Sequence, residues 1–283
     1  MNRTTIVAVT LAAIVGFSAA GAAAPGNSAA HANSGGTPVR IPDTATAVAP
    51  GVYHLGQADN DPSVEGYMFV RYKKGYHHRP GHAGGPGGGK GGGDSGTSDC
   101  YSYIFDKHTQ WKADEPWVMN PANDEGLDGA TVVANQTADL AKWEEPAAAG
   151  MEVFGSGTQT SAPLSAETSG GPDGTNEVYF GAVESEGAIA VTIVWARTRG
   201  PPAQREILEW DQVYDQADFD WSLTGEAGKM DFDNIATHED GHAAGMGHTD
   251  CTEQTMYGYA TTGETKKRTL ETGDETGAGN LYS

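Results

Sequence analysis

The sequence predicts an α+β domain: a mixed sheet with its helices gathered on one side. Three observations carry that expectation. Residues 177–183, 188–196 and 206–215 alternate or run apolar and β-branched, as strands do. Residues 127–145 precede them with helical spacing. A second helical string, containing His238 and His242, follows them.

Taken in chain order, residues 1–32 read as a signal peptide. Arg3 supplies the positive start, and residues 6–17 are apolar but too short to span a bilayer. Small residues follow, with cleavage options at 20–22, 22–24 and 30–32. A membrane anchor is the alternative. No other segment is apolar enough to cross a membrane, so a secreted, extracellular mature chain is expected. Residues 33–75 form an N-terminal segment in which 66–72 alternate like a strand. It reads as a propeptide or as an extra strand of the main domain. Residues 76–98 are dominated by Gly, with His77, His78 and His82, and read as a flexible linker and a cleavage site for maturation. Those histidines offer an alternative role in metal binding.

The main domain is expected over 99–283. Residues 117–119 look like a short strand before Asn120-Pro121. In the helix at 127–145, Ala130, Val133, Leu140 and Trp143 are spaced for one buried face, and Pro146 stops it. Asn135-Gln136-Thr137 is a glycosylation sequon, poorly placed in mid-helix. Residues 151–154 read as a strand, and 156–175 as a Gly/Ser/Thr loop. Asp173-Gly174-Thr175-Asn176 reads as a turn, with calcium coordination as the alternative. Pro201-Pro202 sets off the strand at 206–215.

The net charge is −21 and the sequence pI about 4.6. Such a chain repels nucleic acid and anionic lipid, so neither is an expected partner. The two cysteines, Cys100 and Cys251, suggest a disulfide in an exported chain. The rival reading makes Cys100 a ligand that silences a metal.

The chemistry concentrates in His238-Glu239-Asp240-Gly241-His242-Ala243-Ala244-Gly245-Met246-Gly247-His248. His238 and His242 are four apart, so a helix puts them on one face, one turn apart. Two imidazoles placed so can bind one zinc ion. Glu239 leaves the helix at another angle and suits a general base. Gly245 permits a left-handed exit from the helix, which returns His248 as third ligand. Three neutral histidines leave a fourth position open, the arrangement of a catalytic zinc site. The alternatives are a polar helix with solvated histidines and a zinc site without catalysis.

This string, followed by Met256 in Gln254-Thr255-Met256-Tyr257-Gly258-Tyr259, resembles the metzincin signature and its Met-turn. Within the metzincins the chain resembles secreted archaeal or bacterial matrixins, over residues 111–283. Residues 230–237 are similar to the matrixin helix entry, and 209–215 with Phe219-Asp220-Trp221 to the last strand and the acidic segment after it. Leu270, Asp274 and Leu281-Tyr282 match the final helix. The resemblance implies a twisted five-stranded mixed sheet with an antiparallel edge strand, an active-site helix, a Met-turn and a C-terminal helix. It implies a zinc endopeptidase acting on protein or peptide substrates, with Glu239 as base, and a monomer is expected. The strand at 188–196 becomes the upper edge of the cleft, where a substrate pairs with free backbone groups. The pocket is implied to follow Met256, with Tyr257 and Tyr259 as lining candidates. Other readings are a surface-associated zinc protein and an enzyme that only processes itself. Three departures matter. No cysteine-bearing PRCGxPD-like string is present, the loop at 184–187 is too short for the structural zinc and calcium of vertebrate relatives, and Gly258 stands where astacins carry a tyrosine.

Overall fold

A computed structural model describes residues 37–76, 97–146 and 153–283. The signal-peptide expectation over 1–32 and nearly all of the Gly/His-rich linker lie outside these residues.

The strands are β1 (Thr46–Ala49), β2 (Val52–Ala58), β3 (Asp61–Lys73), β4 (Ser102–Tyr103), β5 (Glu115–Asn120), β6 (Phe154–Gln159), β7 (Asn176–Gly181), β8 (Ala188–Arg197), β9 (Glu206–Asp215), β10 (Trp221–Ser222), β11 (Met230–Asp231), β12 (Met246–Gly247) and β13 (Tyr259–Ala260). The helices are α1 (Gly129–Glu144), α2 (Phe232–Ala243) and α3 (Thr272–Leu281). The main sheet runs β1-β2-β3-β8-β9-β7-β5-β6, with β13 also beside β3. Within it β5, β6, β7 and β9 are parallel and β8 is antiparallel to β9. That part is the mixed five-stranded arrangement expected.

The sheet does not end at β8. Val64–Tyr72 of β3 pairs antiparallel with Ala188–Arg197, so the sheet has nine strands among the described residues, not five. The edge expected to offer free backbone groups is already paired. The reason lies in β8 itself, where Ala188 through Ala196 are all buried, so both faces and both edges need cover. The alternating 66–72 run lies along that edge. Gly66 allows close approach, since a Cβ there would lie 2.7 Å from the Trp195 ring.

Two apolar layers sandwich the sheet. One holds Trp111, Trp143, Val194, Trp210, Phe232 and Met256 beneath the helices. The other holds Tyr53, Met68, Val70, Val191, Ile193 and Trp195 under loops. Asp128 caps α1 by accepting the Thr131 amide at 2.9 Å. The buried face of α1 is Val132, Gln136, Asp139, Leu140 and Trp143. Ala130 is exposed and Val133 only half-buried, because two polar residues with buried partners belong to the face and displace it by one position. The strand expected at 151–154 is instead β6, which takes in Gly155, Ser156, Gly157 and Thr158 from the expected loop. Its pairing with β5 is made by backbone, which small polar residues permit. The chain bends at Gly174, with the Thr175 amide donating to Asp173 at 2.8 Å, and Asn176 opens β7.

Cys100 and Cys251 are bonded, and neither is free. This removes Cys100 as a metal ligand. The bridge closes a separation of 151 residues. In the chain-entropy model such a loop contributes about 4–5 kcal/mol. Among the described residues no helix is long and apolar enough to cross a membrane.

Candidate metal and catalytic centre

Asp231 starts α2 by accepting the Asn234 amide at 3.0 Å, and Arg268 clasps the same carboxylate at 2.7 Å through Nε. The helix ends at Gly245, whose φ of +95° is left-handed, the conformation expected of it. The chain then turns back through β12 and delivers His248.

His238, His242 and His248 converge, with the Nε2 of each helical histidine 3.2 Å from that of His248. His238 Nδ1 lies 2.6 Å from the Thr255 carbonyl oxygen, and His242 Nδ1 lies 2.8 Å from that of Met246. A carbonyl only accepts, so both Nδ1 atoms carry the hydrogen and both Nε2 atoms present lone pairs. The Pro50 carbonyl accepts from the His248 ring. Burial holds all three rings below the usual histidine range, His248 at about 3. Neutral imidazoles whose lone pairs face one another could hold a metal cation between them. A separation of 3.2 Å suits ligands about 2.0–2.1 Å from one tetrahedral zinc.

Glu239 is fully buried, and its Oε2 accepts from Thr192 Oγ1 on β8 at 2.7 Å. Its Oε1 has no protein partner. Burial pushes the carboxyl up to about 7, against the opposing pull of Arg71 and the Thr192 hydroxyl. A carboxylate poised near neutrality can both take and return a proton.

Met256 is fully buried against Gly241 of α2. A Cβ on Gly241 would collide with Met256 Sδ and the Trp143 ring, so that glycine lets both press against α2. The turn is fixed by Asp274, which accepts the Thr255 amide at 2.7 Å and the Met256 amide at 3.2 Å. Thr255 in turn holds His238. On the far side of α2, Gln136 at 2.6 Å and Gln212 at 3.0 Å donate to Asp240, which burial pushes well above the carboxylate range.

Tyr257 and Tyr259 stand beside the site, with ring centroids 5.6 Å apart. Their carbonyls accept from Lys267 Nζ at 3.2 and 3.5 Å. Both help line a cavity of about 280 Å³ that also touches Pro50, Phe69, Tyr103 and His248. Gly258 lies flat on the His248 ring, and a Cβ there would come within 3.1 Å of Nδ1.

Several contributors were not read from the sequence: Thr192, Phe69, Arg71, and the role of Asp274. Phe69 stacks on His242 at 4.3 Å. Arg71 is fully buried, with Glu239 the charged group that most favours its cationic form. Arg71 and Thr192 sit inside strand-like runs, where alternation gives no sign that a polar side chain faces a helix.

Three convergent imidazoles that could hold a metal ion, beside a buried carboxylate, are the donor set a metal-dependent hydrolase uses. The matrixin family model matches residues 101–283, and this chain belongs to the matrixin family. Membership makes it a zinc-dependent metalloprotease. No curated protein matches the chain.

Proposed function

We propose that this chain is a secreted, monomeric endopeptidase with His238, His242 and His248 as zinc ligands and Glu239 as general base. The observation that carries the reading is the convergence of three ring nitrogens next to the buried Glu239 carboxylate. Zinc, when bound, supplies the Lewis acidity that makes water a nucleophile near neutral pH and polarises a carbonyl. Glu239 accepts the proton of the attacking water and returns it to the leaving amine. Thr192 holds one carboxylate oxygen and leaves Oε1 to meet the water. Met256 and the Asp274-bound turn keep His238 in place. Tyr257 and Tyr259 line the substrate pocket. Export is supported by the N-terminal sequence and by a disulfide suited to an oxidising compartment.

We further propose calcium as a second cofactor, held by the group of Glu167, Asp173, Glu177, Glu209 and Asp211. Carboxylate oxygens within that group lie inside 4.8 Å of one another in two overlapping sets. Asn176 is committed elsewhere: it donates to Pro116 at 2.9 Å and accepts from Trp210 at 2.9 Å.

Glu239→Gln tests the catalytic assignment. It should keep its zinc and lose roughly 10²–10⁴-fold in cleavage of an unstructured protein such as casein. Near-wild-type cleavage by that variant removes Glu239 from its role. Sequencing the exported protein's mature N-terminus tests the secretion reading.

A further inference from the structure

We propose that β3 is a built-in occupant of the substrate groove, and that the folded chain is latent until β3 is displaced. This rests on the peptidase reading above and names how that site is regulated.

A peptide chain that is to reach Glu239 must lie between two walls. One is β8, which touches Glu239 through Thr192. The other is the stretch from Tyr257 to Ala260, where Gly258 lies on the His248 ring. The backbone groups of both walls point into the gap, as strand addition requires. β3 fills that gap. It pairs antiparallel with β8 from Val64 to Tyr72 and parallel with β13 at Tyr72 and Lys73. The Tyr72 amide donates to Gly258 at 3.3 Å and the Lys74 amide to Ala260 at 2.8 Å.

The side chains on the two faces of β3 behave differently. Met68, Val70 and Tyr72 enter the apolar layer away from the site, as a structural strand would. Phe69 and Arg71 point the other way. Phe69 covers the histidines, stacked on His242 at 4.3 Å and edge-on to His248 at 6.0 Å. Arg71 is buried, and its one hydrogen bond is a long 3.4 Å contact from Nη1 to the Asn234 carbonyl. Its Nε and Nη2 are buried without partners. A guanidinium so poorly satisfied adds little to a core and is costly to bury. What it does is fill the space between β3 and the start of α2, where its one bond reaches the Asn234 carbonyl. The turn before β2 completes the cover, with Gly51 accepting the Val70 amide at 2.8 Å and Pro50 bonded to the His248 ring.

The test uses the full chain loaded with zinc and an extended peptide bearing a hydroxamate as probe. Zinc content, probe affinity by calorimetry and hydrogen exchange are read together. We expect stoichiometric zinc in the wild-type chain and in Phe69→Ala/Arg71→Gln. The double variant should bind the probe at least about tenfold tighter, because apparent affinity scales with the fraction of open groove. In the wild-type chain, probe binding should speed amide exchange in 61–73. Equal affinity in the two proteins with unchanged β3 protection overturns the proposal while leaving the peptidase reading intact. Loss of zinc from the wild-type chain overturns both. If the double variant does not fold, the wild-type exchange experiment decides alone: faster exchange in 61–73 supports the proposal, and unchanged exchange with probe bound rejects it.

Discussion

At the scale of single residues, the centre depends on atoms that fix other atoms. Thr192 donates to one oxygen of Glu239 and so aims the other. Thr192→Val removes that donor while nearly keeping the volume. It should lower kcat roughly tenfold with zinc content unchanged, and Thr192→Ser should restore most of the loss. Equal kcat in all three proteins would leave Thr192 a packing residue. The histidines, the glutamate, Gly245 and Met256 were legible because their spacing is a local property of helix and turn. Thr192 and Arg71 were not. Their partners lie 47 and 163 residues away, at Glu239 and Asn234, and strand alternation assigns a face without saying what stands opposite.

At the scale of elements, the Met-turn and α3 work as a unit. Asp274 caps α3 and also receives the amides of Thr255 and Met256, and Thr255 then holds His238. If His238 is a zinc ligand as proposed, removing this support typically costs 10–100-fold in metal affinity. Asp274→Ala should therefore weaken zinc binding by about that factor in a competition titration with a chelator. An unchanged affinity would show that packing alone seats His238. The bounds of β9 match the expected 206–215 because Ile207, Leu208, Trp210, Val213 and Tyr214 recur along a long run set off by Pro201-Pro202. β6 was missed because its Gly and Ser residues pair through backbone. The face of α1 was displaced because Gln136 and Asp139 are buried with partners on other elements. Hydrophobic spacing cannot register a polar residue whose partner comes from elsewhere.

For the whole molecule, the acidity of the chain has a structural location. Burial pushes Glu177, Glu209 and Asp215 each up to about 7, and Asp211 well above the carboxylate range. Unfolded, such groups titrate near 4. Between about 4 and 7 these groups hold more protons folded than unfolded, so their contribution to stability falls as pH rises; the three buried histidines oppose this below about 6.5 but are outnumbered. Without divalent ions, Tm should be higher at pH 5 than at pH 7.5. Calcium should recover most of the loss at pH 7.5 if it occupies the acidic group. A flat Tm between the two pH values would contradict the raised carboxyls. The mixed sheet and its one-sided helices were legible from the order of strand-like and helical runs. The nine-strand extent was not, because nothing local in 46–73 states which edge its strands will cover.

The most direct measurement is metal analysis of the purified, folded chain beside His248→Ala. One tightly held zinc per wild-type chain, with loss or strong weakening in the variant, is the expected result. Absence of stoichiometric zinc from the wild type, or equal zinc in both proteins, would contradict the assignment of the three histidines.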